Sequence, residues 1–465
     1  MLKRLDAYLT TEQFSFKELR GMFLTLLLDQ LFIYLIGMVS TALVSSVGEA
    51  AIAAVSMVGT INGMVSLVFT AMATGGGIVV ARAKGRGDHA DIRRTIGEAT
   101  GICAVVATTL SLVMIFLAPT LVDLLYPNVE PLLVEYATSY MRMMAVSFIP
   151  FSVFNAIFNI LRNLGKTRQS LILTMVINVT HLLLSILFIN GLHLGVVGSG
   201  LSYIVARLIG MVAALLMVLV FANDYGLSLG SFFRFKASTT REIFSLGMPL
   251  AVESVLLQGG MLLVQVYLAR LTTVDLAAHA VANSIFNLCT VGGSVMVTLC
   301  GTVGGQCYGA GRYELTRTYT YRLIWICRFV LLVTVFLFYP LLPPILNFYH
   351  ATKEGMPIIR TCLGIAMIAM PLLWSDSSLP AMSLRVAGDS VFTGAVSVIA
   401  LALGRCALGY FLTIVLGLGV PGVWIALCAE WLGRSIAFRL RMRGGAWLHV
   451  QPETVKEHAE EDTEV

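Results

Sequence analysis

Two carboxylic acids sit well inside apolar stretches at matching places in the chain. Asp29 in "TLLLDQLF" and Glu253 in "PLAVESVL" are 224 residues apart. An ionised carboxylate with no partner is costly inside a membrane, so intramembrane acids mark ion or substrate pathways. Taking up a proton removes that cost, and this is the chemistry of a proton-coupled carrier. A Na⁺-coupled carrier would surround the carboxylate with neutral oxygens, for which Thr25, Gln30, Gln258 and Gln265 stand at helical spacing from the acids. The alternative is a plain ion pair, with Arg207 and Arg405 as the candidate counter-charges. A third acid, Asp376 in "PLLWSDSSLP", could face Glu253, and a Na⁺ held by that pair is the one metal site expected.

The elements that position these acids read as a duplication. The offset of 224 also places Gly85 and Gly87 of "AKGRGD" on Gly309 and Gly311 of "CYGAGR", and Leu194-Gly195-Val196 on Leu418-Gly419-Val420. At 223, "LRNLGKT" from Leu161 matches "LRVAGDS" from Leu384. A duplicated bundle with acids in both copies is a transporter layout, because substrates and coupling ions bind where repeats meet. The composition agrees: 57% hydrophobic and 12% charged residues, with mean hydropathy +0.86, leave too little polar residue to cover a soluble surface.

At roughly 20 residues per crossing, twelve spans are expected near residues 21–43, 51–80, 97–120, 133–160, 169–190, 195–221, 243–269, 275–304, 318–343, 357–383, 390–415 and 420–440. The fold class is therefore an all-α polytopic membrane protein with 12 transmembrane helices in two six-helix repeats. Six spans per half make the repeats parallel, related by an axis along the membrane normal. The expected layout is residues 1–222 as the first lobe, a cytoplasmic linker at 223–241, a second lobe at 242–445 and a disordered acidic tail at 446–465. No signal peptide is expected, since about twenty polar or mixed residues precede the first apolar run.

Lys and Arg gather in alternate connections, such as Arg82, Lys84, Arg86, Arg93 and Arg94, then Arg162, Lys166 and Arg168, while the opposite ones carry Asp123, Glu130 and Glu135. The positive-inside rule then puts both termini in the cytoplasm of a cell-membrane protein. The net charge of +5 belongs to topology and lipid headgroups and implies no nucleic-acid partner. The eight cysteines lie singly without metal spacing and read as packing residues.

On these residues the chain resembles the multidrug and toxic compound extrusion (MATE) family. The likeness rests on "GMVSTALVSSVGEAAIAAVS", "TGGGIVVARAKGRGD", "NAIFNILRNLGKTR" and "LGVVGSGLSYIVAR", and on their echoes "TVDLAAHAVANSI", "GTVGGQCYGAGR", "SLRVAGDS" and "LGVPGVWIALCAEW". It implies a V-shaped pair of six-helix lobes and export of amphipathic, often cationic, organic compounds in exchange for H⁺ or Na⁺, without a further cofactor. The pattern is departed from in places. Many members have Asp where this chain has Ser40, and the Asn-x-x-x-Asp of some prokaryotic members is Asn178 followed by Leu182.

Further polar residues within spans are candidate cavity lining: Asn155, Asn178, His181 and Trp374 join Gln30, Ser40, Gln258 and Gln265. Interhelical hydrogen bonding is the commoner use of intramembrane Asn, and Glu430 and Arg434, four apart, suit one another. The leading function is a multidrug efflux antiporter, acting as a monomer on small organic substrates among membrane lipids. The alternatives are a lipid-linked saccharide flippase, which wants a cationic cavity for pyrophosphate, and a non-transporting receptor, for which no connection is long enough. An enzyme is not expected, as H-E-x-x-H and G-x-S-x-G are missing.

Overall fold

The computed structural model describes residues 9–11, 13–44, 49–125, 131–221, 226–349 and 352–449. Among the described residues there is no strand, and twelve helical runs follow one another. They are α1 (Phe16–Val44), α2 (Glu49–Arg86), α3 (His89–Leu125), α4 (Pro131–Val146 and Phe148–Asn163), α5 (Thr167–Ser185), α6 (Gly195–Phe221), α7 (Ala237–Leu268), α8 (Thr273–Cys289 and Val291–Gly309), α9 (Tyr313–Phe348), α10 (Gly355–Ala369 and Ser375–Val386), α11 (Ser390–Ala400, continued by wider turns) and α12 (Val420–Arg443). Each overlays one expected span. Eight are single helices long and apolar enough to cross a membrane, and ten qualify once α4 and α8, bent by 42° and 44°, each count as one. In α12 the charges of Glu430 and Arg434 lower the apolarity. Large side chains such as Leu216, Val220, Phe336 and Ile368 are left exposed along helix faces, as lipid contact requires.

Local signals set the helix starts. α1 begins with a capping box: Ser15 N–H donates to Glu18 Oε2 at 2.9 Å and Glu18 N–H donates to Ser15 Oγ at 3.3 Å. α8 repeats the device with Thr272 and Asp275.

The chain forms two compact units. Of the described residues, one unit holds those from 24 to 251 and the other those from 252 onward together with those before 24. In the first, Phe69, Ala107, Met114, Tyr140, Met144 and Phe148 make a core between α2, α3 and α4. Glycines bring its helices close: a Cβ on Gly75 would lie 2.7 Å from the Gly247 backbone. The described part of the expected linker packs within this unit, since Lys236 N–H donates to Glu98 Oε1 at 3.0 Å and Ser231 O lies over Gly97. The second unit has a larger core that includes Tyr267, Phe14, Tyr319, Met370, Trp424 and Trp431. The expected tail lies outside the described residues from position 450.

The duplication extends to the irregularities. Gly87 and Gly311, 224 apart, both end their helices in the left-handed region, at φ 79° and 72°. There a side chain would be strained and glycine is not. The break of α4 at Ser147 has its counterpart 224 positions on, in the π-helical turn Met370–Trp374 of α10. The π-helical end of α5, Ile186–Gly191, likewise answers Phe411–Val415 in α11. Wider turns of this kind cluster at functional positions.

Candidate functional site

Both repeat acids are buried, Asp29 completely and Glu253 at 4% exposure, and each is held by an arginine of its own unit. In the first unit Asp29 on α1 accepts a hydrogen bond from Arg162 Nη2 at the end of α4, and the Arg162 guanidinium lies 4.0 Å from the Phe158 ring centroid. In the second, Arg385 Nη2 at the end of α10 reaches both oxygens of Glu253, at 2.7 Å each. The isolated carboxyls expected from sequence are thus ion pairs, and the counter-charges are Arg162 and Arg385. Arg162 and Arg385 are 223 residues apart, so the pair itself is duplicated. A buried guanidinium offsets much of the cost of the carboxylate, and each partner leaves the other costly when it is removed.

The two arginines expected as counter-charges are engaged elsewhere. Arg207 Nη1 donates to Ser147 Oγ at 2.5 Å and its guanidinium faces the Phe151 and Tyr203 rings at 4.2 and 5.3 Å. Among the described residues it meets no carboxylate. Arg405 Nε lies 2.7 Å from Glu430 Oε2, whereas the expected partner Arg434 approaches Glu430 Oε1 only to 3.6 Å. Asp376, 3% exposed, accepts from Arg328 Nη2 at 2.6 Å and from Arg439. Glu253 and Asp376 therefore answer to different guanidinium groups, which does not suit a shared Na⁺ cage.

A cavity of about 550 Å³ opens in the second unit between α7, α8, α10, α11 and α12. Gln258 and Gln265 line it, together with Asn283 and Asn287 of α8. Trp374, Phe286 and Trp431 form an aromatic side, with Phe286 stacked on Trp431 at 5.8 Å. The lining charges are Arg405, Glu430 and Arg434. Trp374 reaches this position because Gly293 offers no Cβ: its indole occupies that space.

In the first unit two asparagines bond along their own helices. Asn178 Nδ2 donates to Thr174 O of its own helix at 2.8 Å, and Asn159 to Asn155 O at 3.0 Å, so these bonds run within helices and not between them. Asn155 is buried. His181 lies against Tyr203 at 4.1 Å and within 3.4 Å of Ser185 Oγ. Gln30 is half-buried beside Asp29. The side chain of Ser40 lies outside the described residues.

The MatE family model matches residues 26–187 and 249–428, one stretch for each copy. The chain belongs to the MatE family. Among curated relatives, the probable multidrug resistance protein NorM of Thermotoga maritima is 24% identical over 445 residues, 93% of each chain. The uncharacterized transporter YisQ of Bacillus subtilis is 22% identical over 424 residues, 89% of this chain and 90% of that one. The fold matches a solved multidrug resistance MATE family transporter of the MOP superfamily in an outward-facing conformation, with TM-score 0.82 at 17% identity, covering 93% of this chain and 96% of that one. A Vibrio cholerae MATE transporter, VcmN, matches at TM-score 0.83 and 18% identity, covering 93% and 98%.

The matched stretches contain both acid–arginine pairs and Asp376. They end two residues before Glu430, and Arg207 falls between them. Within this MatE chain the duplicated pairs therefore belong to the part that resembles the family model, and the charges of the cavity lie partly beyond it. Sequence reasoning missed Arg162, Arg385, Arg328, Asn283 and Asn287. For the first two a signal was present: both stand in the "LR" dipeptide that repeats at 223.

Proposed function

We propose that this protein is a secondary efflux antiporter that moves amphipathic organic compounds out of the cell in exchange for H⁺, its termini in the cytoplasm. The observation that carries the reading is the buried acid–arginine pair present twice, Asp29–Arg162 and Glu253–Arg385. Relatives named as multidrug resistance proteins over nearly the whole chain support the export of varied substrates.

A proton arriving at Asp29 or Glu253 makes the carboxyl neutral, and the guanidinium loses the charge that held it. That weakens the tie between α1 and α4, or between α7 and α10, and frees the helices to shift. Loss of the proton restores the pair. H⁺ is favoured over Na⁺ because each carboxylate is already held by a guanidinium, and a Na⁺ site would need several neutral oxygens around it instead. The solute passes unchanged, so the protein is not an enzyme.

Reconstitution in liposomes with separate H⁺ and Na⁺ gradients tests this. A pH gradient alone is expected to drive uptake of a fluorescent amphipath into liposomes, with Na⁺ without effect. Transport driven by Na⁺ at constant pH overturns the coupling, and no transport under either gradient overturns the antiporter reading.

A further inference from the structure

We propose that the cavity of the second unit binds the anionic head of an amphipathic molecule, a carboxylate or phosphate, between Arg405 and Arg434. This rests on the export reading above and names the substrate class of that protein. The cationic class expected above came from the family resemblance, and a cavity acid would be needed to hold such a substrate. In the structure Glu253 and Asp376 are matched by arginines and neither lines the cavity.

What remains on the wall is two guanidiniums against one carboxylate, an excess of one positive charge. Nor is the triad closed on itself. Arg405 Nε, Arg434 Nε and Glu430 Oε2 are buried atoms that find no hydrogen-bond partner, although Arg405 and Glu430 are 2.7 Å apart. That contact is made by charge and not by a well-directed hydrogen bond; Arg405 Nη1 donates to Met261 Sδ at 2.9 Å, while Arg434 donates no hydrogen bond among the described residues, so its planar fork stays available. Such forks match carboxylate and phosphate oxygens in pairs. A cation entering the same space would approach two like charges against one carboxylate.

The rest of the wall suits the remainder of an amphipath. Phe286, Trp374 and Trp431 offer flat apolar faces, and the four amides can bind polar substituents. The volume, about 550 Å³, is that of a site for a drug-sized molecule. The first unit shows the same sign independently: Arg207, 6% exposed, meets a hydroxyl and two ring faces but no carboxylate among the described residues.

The test compares two probes on one scaffold, anionic carboxyfluorescein and cationic rhodamine, by fluorescence anisotropy with the purified full-length protein in a neutral detergent. The anion is expected to bind at least tenfold more tightly. Arg434→Gln should weaken it by roughly tenfold, equivalent to ~1.4 kcal/mol, while Glu430→Gln strengthens it. A variant that merely misfolds weakens binding in both cases, so the opposite signs separate the site from damage to the fold. Tighter binding of rhodamine, or weaker anion binding in a Glu430→Gln protein that melts with the wild type, overturns the proposal.

Dihexanoyl phosphatidylglycerol as a competitor separates the sources. Competition that depends on Arg434 assigns the site to a lipid phosphate, and carboxyfluorescein binding that resists the lipid assigns it to a free organic anion. Because binding is measured without a gradient, it stands or falls apart from ion-driven transport.

Discussion

Replacing Glu253 by Gln is close to isosteric, and for an isolated carboxyl it would leave folding untouched. The structure gives a different expectation. Glu253 and Arg385 are joined by two contacts of 2.7 Å, with side-chain exposures of 5% and 16%. Removing one partner of a buried pair costs about 3–5 kcal/mol, because the other is left charged and uncompensated. Arg385 keeps some access to polar surroundings, so the low end, ~3 kcal/mol, applies to Glu253→Gln. At about 2–4 °C per kcal/mol for a unit of this size, the apparent Tm should fall by roughly 6–12 °C. Neutralising both, Glu253→Gln with Arg385→Gln, removes the stranded charge and should recover most of that loss. On the proposed coupling the double variant should still fail to transport along the pH gradient, since the carboxyl at position 253 is gone. Melting followed by tryptophan fluorescence, beside proton-driven flux in liposomes, separates the two effects. A single variant that melts with the wild type would refute the ion pair as a structural tie. A double variant that transports normally would refute Glu253 as the coupling group.

The equivalent change in the first unit, Asp29→Asn, should cost more, towards ~5 kcal/mol, because Asp29 is fully buried and the Arg162 side chain is 9% exposed; a smaller Tm loss than for Glu253→Gln would contradict this. Gly75→Ala should destabilise the first unit strongly, since the new Cβ meets the Gly247 backbone at 2.7 Å. Gly63→Ala in the same helix has open space and should raise stability slightly through helix propensity, which paired melting curves will show.

The number, order and approximate ends of the helices were legible in the sequence because a bilayer demands about 20 apolar residues per crossing. The duplication was legible too, through glycines that only a left-handed helix end requires, such as Gly87 and Gly311. The site was legible only in part. Asp29 and Glu253 announced themselves as charges in apolar runs, but Arg162 and Arg385 stand at helix ends, where arginine is ordinary and belongs to the topology signal. Arg207 and Arg405 lie mid-span and looked like the better partners. Their actual neighbours, Ser147 and Glu430, come from packing between helices, which no periodicity within one helix records. Glu430 and Arg434 illustrate the same limit: spacing of four placed them together, yet the closer cation is Arg405, brought in where a Cβ on Gly404 would lie only 3.1 Å from the Glu430 backbone.

The two copies differ where function would need them to. The acid–arginine pair, the left-handed helix ends and the wide turns recur at the offset of 223 to 225. The cavity charges do not: 224 positions before Arg405, Glu430 and Arg434 stand His181, Ala206 and Gly210; nor does Asp376, outside the cavity, which has Ser152 before it. Conversely Arg207 maps onto Trp431, an aromatic wall of the cavity. A task common to both units, such as releasing and reforming a helix contact with protonation, calls for groups present in both. Recognition of one asymmetric molecule calls for groups that are not. On the proposed mechanism the repeated pairs would set when the helices move and the unrepeated charges what is carried, so exchanging Arg434 should change substrate preference in binding assays and leave the response of transport to a pH gradient as it was.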